Sequence, residues 1–481
     1  MNFLTGSLSV FLLISAIGWT SSPASNANAV QNVSELMSSI PEELKNLPYA
    51  VYPTSPEYNT DRFIANKRFS LYPHAIIAPR TQEEAVFVFN SLKKHHLDFA
   101  IRGGGHCYEP ASLSSGYVVD LRNFNQITPN VSKQEVNIGA GCRLGDVIAT
   151  LGKLDYAIPT GTCPRVGVAG LSLGGGIGML SRTYGLTCDS VLSITLLNAE
   201  GKVIEVTKDS YPDLFWALRG AGNGSFGIVL GFTFRMHHIP KVTYYELTWD
   251  WNPTTVPQII KTWQKWIQTL PDTITSQLRM RYSKEKMEIG VAGLKISDVP
   301  FDEWEKVFKD LKPEVKVVAG RYVDSSKYWT ESHSFPFFKM KSNIILEPLS
   351  DQVIDKLVSF YATLKNDKPD LHVLFDFDTM QGKVLQGSSA FFPRNALTWW
   401  YQGVYWDDEK LTADALRYSR QFFAEIAPDV SKYCYANTVD YDLGDHYLDA
   451  YYGTNVERLI QIKTKYDPEN IFHWKQSIPV K

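Results

Sequence analysis

Three glycine clusters are the stretches of this sequence best suited to hold a charged ligand. They are Gly103, Gly104 and Gly105; residues 174–178 (GGGIG); and residues 220–227 (GAGNGSFG). Consecutive glycines let backbone N–H groups turn inward as a concave nest for anionic oxygens, the chemistry of a phosphate or pyrophosphate. One cluster is readily a tight turn and nothing more. Three between residues 103 and 227 point to a phosphate-bearing cofactor. The last cluster spells G-x-G-x-x-G at Gly222, Gly224 and Gly227. A dinucleotide-binding turn needs a strand before those glycines and a helix after them, so that the helix N-terminus faces the pyrophosphate. Here helix-like 213–219 comes first and strand-like 228–234 follows, so the Rossmann reading fails on context.

The elements that must carry these loops can be read from periodicity. Residues 45–240 are rich in glycine and in short β-branched runs, alternating with helix-like stretches. Residues 74–79 read as a strand. Residues 81–95 (TQEEAVFVFNSLKKH) read as a helix, with Thr81 as cap and Glu84 three places on, a capping box. Residues 97–101 read as a second strand delivering Arg102 and the first glycines. From 241 to 431 the character changes. Alternating strands are expected at 243–251, 277–283, 287–295, 315–323, 372–378 and 397–406. Helices are expected at 256–270, 350–364 and 412–426; the first puts Val256, Ile259, Ile260, Trp263, Trp266, Ile267 and Leu270 on one stripe. Many strands with few helices imply an antiparallel sheet covered by helices on one face. Residues 432–481 resume the style of the first part. The expected fold is α+β: a two-part cofactor-binding domain (45–240 with 432–481) embracing a substrate domain (241–431). Strand 397–406 deals Trp400, Gln402, Val404 and Trp406 to one face, and Trp399, Tyr401, Gly403 and Tyr405 to the other. One face packs under helices and one looks toward the cofactor; alternation does not say which.

Composition removes several classes of function. The 481 residues carry 48 Lys+Arg against 51 Asp+Glu, a net charge of −3. No basic excess exists to neutralise a phosphate backbone, which argues against a nucleic-acid partner. Cysteines 107, 142, 163, 188 and 434 are scattered without a CxxC pair, which argues against a metal site. At the start, residues 1–29 combine an apolar run over 8–19 with Ala27-Asn28-Ala29, an A-x-A cleavage signature. The run is too short to span a bilayer comfortably. The mature chain is expected to begin near Val30, secreted or periplasmic, as a monomer with no membrane partner once the leader is removed. Export permits disulfides, but an odd number of cysteines leaves at least one thiol outside them.

Two stretches carry a family resemblance: 100–112 (AIRGGGHCYEPAS) and 161–190 (GTCPRVGVAGLSLGGGIGMLSRTYGLTCDS). They resemble the berberine-bridge-enzyme-like branch of the vanillyl-alcohol-oxidase flavoproteins. The C-terminus agrees, with Tyr451-Tyr452-Gly453-Thr454-Asn455, Tyr466-Asp467-Pro468-Glu469-Asn470-Ile471-Phe472 and Gln476-Ser477-Ile478-Pro479. The resemblance implies a vanillyl-alcohol-oxidase-type FAD domain with FAD tethered twice, through His106 to the 8-methyl carbon and through Cys163 to C6 of the flavin. A neutral imidazole and a thiolate are the nucleophiles able to add to an electron-poor flavin. It also implies that Arg102, Gly103, Gly104 and Gly105, together with Gly174, Gly175, Gly176 and Gly178, cradle the pyrophosphate. Gly167 and Gly170 fall in the same cofactor motif, Gly224, Gly227 and Ile228 should line the cleft, and Asn470 should sit near the flavin edge. Val166, three places after the tethering cysteine, holds the position associated with oxygen access. Cys107 has no assigned role.

The resemblance implies oxidation of an alcohol, which needs a base for the hydroxyl proton. Many relatives use a tyrosine in Tyr-x-Asn-Tyr-x-Asp. This sequence has Tyr435-Ala436-Asn437-Thr438-Val439-Asp440, with Thr438 in place of the second tyrosine. A threonine hydroxyl is far too weak an acid to replace a phenolate. Gln402 is matched to a position holding glutamine or a catalytic glutamate in relatives, and glutamine is no base. Tyr108, two places after His106, is therefore the first choice, with Tyr435 or Tyr401 behind it. Ala169-Gly170-Leu171 and Ile177 also depart from the family pattern, so the reacting face is remodelled. The expectation is a secreted FAD-linked oxidase acting on a small carbohydrate or secondary-metabolite alcohol, with oxygen as acceptor and hydrogen peroxide as product. A dehydrogenase using another acceptor, or a flavin-binding protein without catalysis, are the alternatives.

Overall fold

A computed structural model describes residues 33–284, 286–297, 301–329, 336–367 and 370–481. The expected leader and its Ala27-Asn28-Ala29 site lie outside the described residues.

The chain first builds a small sheet. Strands β1 (Ala75–Ile77) and β2 (Phe99–Arg102) both run parallel to β3 (Tyr117–Asp120), and helix α1 (Gln82–Lys94) lies between β1 and β2 in the chain. Thr81 caps α1, its hydroxyl accepting from the Glu84 N–H at 3.2 Å. The capping box is only half made. The Glu84 carboxylate turns instead to the Arg80 N–H (2.7 Å) and the Arg80 guanidinium. Ala85, Val88, Phe89 and Leu92 bury the inner face of α1, and Phe472 from the C-terminal segment stacks on Phe89 with ring centroids 5.2 Å apart. Residues 451–478 thus close the first core, as Tyr451, Leu459, Ile462 and Ile478 also join it.

A second sheet is wholly antiparallel. It centres on β4 (Glu135–Gly139), β5 (Val191–Leu197) and β6 (Ile228–Arg235), with β6 between the other two. Helix α2 (Val168–Leu173) leads into the 174–178 loop. A helix at Pro212–Leu218 precedes the 220–227 glycines and β6 follows them, the order that excludes a dinucleotide-binding turn.

The third sheet has seven antiparallel strands. They are β7 (Val242–Asp250), β8 (Ile274–Ser283), β9 (Lys286–Lys295), β10 (Glu314–Gly320), β11 (Phe337–Ile345), β12 (His372–Thr379) and β13 (Thr398–Trp406), in the order β10-β7-β9-β8-β12-β13-β11. Helices α3 (Val256–Ile267), α4 (Asp351–Asp367) and α5 (Thr412–Ile426) cover one face. The stripe on α3 is buried as its periodicity requires. Each such side chain contributes about 1.5–3 kcal/mol on leaving water. Strand β11 was not expected from the sequence, because Lys339, Lys341 and Asn343 interrupt its apolar residues. All three are buried, and each reaches a polar partner. Among the described residues no helix is long and apolar enough to cross a membrane.

Candidate active site

A cavity of about 1040 Å³ opens between the first part of the chain and the uncovered face of the seven-stranded sheet. Its inner wall is made where β2 ends. Gly104 and Gly167 touch backbone to backbone: a Cβ on Gly104 would lie 2.4 Å from the Gly167 nitrogen, and a Cβ on Gly167 equally close to the Gly104 nitrogen. Gly105, with φ +65°, turns the chain so that His106 faces the cavity. This contact brings the two loops together, and Cys163 Sγ lies 3.4 Å from His106 Nε2. Burial pushes the His106 imidazole down to about 4, aided by the positive charges of Arg165 and Arg143. The ring is therefore neutral at physiological pH and keeps a nucleophilic nitrogen. Burial pushes the neighbouring Cys107 thiol up to about 11, which leaves it unreactive.

These residues fit a flavin dinucleotide. Gly103, Gly104, Gly105, Gly167 and Gly170 expose backbone rather than side chain to the cavity, and a Cβ on Gly170 would meet nothing within 4 Å. Gly224 (φ +62°) and Gly227 line it as expected, and Trp474 closes over Gly224, its indole N–H donating to the Asn223 carbonyl at 2.8 Å. Val166 is part of the same wall.

Other expected cofactor residues stand elsewhere. Arg102 does not line the cavity. It is buried and braces the loop, with Nε donating to Asp120 at 2.6 Å and Nη1 to the Asp61 carbonyl at 2.7 Å. Gly174, Gly175, Gly176 and Gly178 are packing glycines: side chains there would strike Asn437, Phe391, Thr187 and the Thr160 carbonyl respectively. Close approach of neighbouring chain, not phosphate, explains that cluster. Ile228 is buried in β6. Asn470, with φ +51°, is the turn that sends residues 471–475 along the cavity edge.

The register of β8, β12, β13 and β11 resolves the face left open by alternation. Trp399, Tyr401 and Tyr405 look into the cavity with Gly403 among them, while Trp400, Gln402, Val404 and Trp406 are buried on the opposite face. Gln402 is accordingly no active-site residue. Its side-chain oxygen accepts from the Ser419 hydroxyl on α5 at 2.9 Å. Tyr401, Asp376 and Arg279 are in register across three adjacent strands. The Tyr401 hydroxyl donates to Asp376 Oδ2 at 3.1 Å, and Arg279 Nε pairs with that oxygen at 3.1 Å. Sequence reasoning missed Asp376 and Arg279, because no local spacing reports which residues meet across strands. Tyr108 lines the cavity with its ring 6.2 Å from that of His106. Tyr435 also lines it, but its oxygen accepts from the Gly176 N–H (2.7 Å) and from Asn437 Nδ2 (2.8 Å), and burial raises its pKa. It anchors the glycine loop. Thr438 lines the cavity with a buried hydroxyl that has no hydrogen-bond partner among the described residues.

One more cluster sits behind the site. Lys339 Nζ lies 2.6 Å from Glu109, three residues past His106, and 2.6 Å from Asp440, two residues past Thr438. Lys341 adds bonds of 2.7 Å to Asp440 and 2.9 Å to Asp442, and Arg68 pairs with Glu109 at 3.0 Å.

Comparison with known proteins matches this geometry. A family model described as "FAD binding domain" fits residues 73–207, and one described as "Berberine and berberine like" fits 434–479. The uncharacterized FAD-linked oxidoreductase YgaK of Bacillus subtilis is 32% identical over 436 residues, covering 88% of this chain and 95% of its own. Berberine bridge enzyme-like 12 of Arabidopsis thaliana is 31% identical over 485 residues, covering 87% of each chain. Among solved structures, Physcomitrella patens BBE-like 1 superposes with a TM-score of 0.82 at 27% identity, covering 93% of this chain and 99% of its own. A chitooligosaccharide oxidase does so with a TM-score of 0.81 at 25% identity and the same coverage. Fold and site together define an FAD-linked oxidoreductase of the vanillyl-alcohol-oxidase type. Within that class the chain belongs to the berberine-bridge-enzyme-like family.

Proposed function

We propose that this chain is an exported oxidase that holds FAD through both His106 and Cys163 and oxidises an alcohol to the carbonyl compound. The 3.4 Å approach of Cys163 Sγ to His106 Nε2 at the cavity wall carries the reading of two tethers. Bound FAD supplies the electron sink for the two electrons of the alcohol. We take 45–240 with 432–481 as the FAD-binding part and 241–431 as the substrate part. Acid-precipitated protein is expected to stay yellow. His106→Ala and Cys163→Ala should each retain bound flavin after precipitation, and the double variant should lose it. Loss from either single variant means one tether only.

For the proton we assign Tyr401 ahead of Tyr108, reversing the order suggested by sequence alone. What favours Tyr401 is the carboxylate beneath it. As the substrate hydroxyl gives its proton to the Tyr401 oxygen, the proton of Tyr401 moves to Asp376, whose orientation Arg279 fixes. Thr438 does no proton chemistry; its hydroxyl, unpartnered among the described residues, offers a polar contact within the cavity.

Oxygen is the proposed acceptor, because Val166 in the cavity wall is small. In a close-packed wall one methylene decides whether a small molecule has room. Val166→Leu is expected to slow reoxidation in air while leaving flavin reduction unchanged. Reduced wild-type protein that persists for minutes in air but discharges quickly to a quinone identifies a dehydrogenase. Export rests on the apolar run 8–19 and Ala27-Asn28-Ala29, and N-terminal sequencing of protein from the native host should begin near Val30.

A further inference from the structure

We infer that Asn130, which does not line the cavity, is the acceptor of an N-linked oligosaccharide added along the export route. This rests on the export reading above. Asparagine followed two places on by serine or threonine, with any residue but proline between, is the pattern an oligosaccharide transferase accepts. The sequence holds three such triplets: Asn32-Val33-Ser34, Asn130-Val131-Ser132 and Asn223-Gly224-Ser225. Proline disqualifies a fourth, Asn252-Pro253-Thr254. Asn32 lies outside the described residues. The structure separates the other two.

Asn130 ends the strand Ile127–Asn130, which pairs with β4 at the outer edge of the second sheet. Residues 130–134 are the exposed tip of that hairpin, and even the apolar Val131 is 46% accessible, so the tip stands in water. The Ser132 hydroxyl donates to Asn130 Oδ1 at 2.8 Å, and the Lys133 N–H donates to the same oxygen at 3.2 Å. Both bonds use the oxygen. The amide nitrogen, the atom that takes the sugar, has no hydrogen-bond partner among the described residues, so its modification breaks no contact of the folded chain. Asn223 is the opposite case. Its Nδ2 donates to Asn437 Oδ1 at 3.0 Å, its carbonyl accepts from the Trp474 indole at 2.8 Å, and Ser225 is 1% exposed. That triplet is built into the cavity wall, where a branched sugar chain leaves no room for Trp474 to close over Gly224. A folded chain therefore carries no glycan at Asn223. The step is a group transfer. A bond forms between Asn130 Nδ2 and C1 of the first sugar of a lipid-pyrophosphate-linked oligosaccharide. The bond from C1 to the pyrophosphate oxygen breaks, the lipid pyrophosphate leaves with the electron pair, and the amide proton passes to a base of the transferase. Nothing is oxidised or reduced.

The test uses the full chain with its own leader, secreted by a yeast culture. Protein from the medium is treated with peptide N-glycosidase, which turns each glycosylated asparagine into aspartate, and its peptides are read by mass spectrometry. Oxygen-labelled water in that step keeps spontaneous deamidation at Asn223-Gly224 from being counted. The expected result is labelled aspartate at position 130 and none at 223. Asn130→Gln should lose one oligosaccharide and keep its flavin. Ser132→Ala should lose the same one with Asn130 still in place, which ties the effect to the triplet. Unmodified Asn130 in flavin-loaded protein from the medium overturns the inference and leaves export standing. A chain held in the cells with Met1 intact overturns the export reading instead. The same chain behind the yeast's own secretion leader then decides the glycan by the same peptide. Labelled aspartate at 223 in flavin-loaded protein overturns the choice of Asn130 by the folded surface.

Discussion

Tyr401→Phe is expected to slow anaerobic flavin reduction by about 10²–10⁴, the usual contribution of a positioned general base. The substitution removes one oxygen from a ring that stays packed against Trp399 at 4.7 Å, so flavin content and fold should not change. Asp376→Asn should give a loss of the same kind. An amide cannot receive the proton that Tyr401 is proposed to pass on. It also leaves Arg279, nearly inaccessible to water, without its carboxylate. Stopped-flow absorbance at the flavin band reads the step directly. A reductive rate in Tyr401→Phe equal to that of the wild type, with a slow Tyr108→Phe, transfers the role to Tyr108.

The second large effect is on stability. Lys339→Met removes the cation shared by Glu109 and Asp440, whose side chains are each 5% exposed. Breaking one partner out of a buried ion pair costs about 3–5 kcal/mol, because the remaining charges stay buried and uncompensated. The loss should appear as a lower urea midpoint with little change in slope. The pH dependence follows from two shifted groups. Burial alone would raise the Asp442 carboxyl, but Arg420, Lys339 and Lys341 hold it well below the ordinary carboxylate range. A depressed carboxyl contributes stability that is present above its unfolded pKa, about 3.9, and lost as pH falls through the folded value. Burial alone would lower the Lys339 ammonium, but Asp440, Glu109 and Asp442 hold it above its ordinary value. That contribution is present below about pH 10.4 and is lost as pH rises through the folded value. Wild-type stability should thus fall at both extremes, and Lys339→Met should flatten both limbs. A midpoint within experimental error of the wild type shows that the cluster does not hold these loops together.

What the sequence disclosed was local. A cap three residues before a glutamate, an apolar stripe on α3 and alternation along β13 each depend on neighbours in the chain, and each is present. The loop that carries the proposed tether was legible for the same reason, since Gly104, Gly105 and His106 are consecutive. What the sequence withheld was register. Period-two alternation separates Tyr401 from Gln402 but does not say which faces the cavity. Gln402, matched to the family glutamine, stands on the face turned from the cavity, and a shift of one residue along a strand reverses the face. The 174–178 glycines misled because a backbone free of side chains suits a phosphate and a packed neighbour equally well. Lys339 was hidden by its own charge. In a strand otherwise apolar it argues for solvent, and only Glu109 and Asp440, hundreds and scores of positions away, make it an interior residue.

The cavity takes one wall from residues 103–106 and 161–167 and another from 471–475, with the whole seven-stranded sheet made between them. A ribosome delivers these parts in that order. For most of synthesis His106 and Cys163 face a pocket that lacks its sheet floor, and Trp474 is not yet there to close over Gly224. The proposed capture of flavin by the two nucleophiles would therefore be a late event, open only to chains that have already brought both ends of their sequence together. A covalent bond made at that moment is not undone by later unfolding. With the proposed tethers in place, the yellow colour of a denatured chain would become a record of its past: it would mark molecules that once folded, even where none remains folded to be assayed.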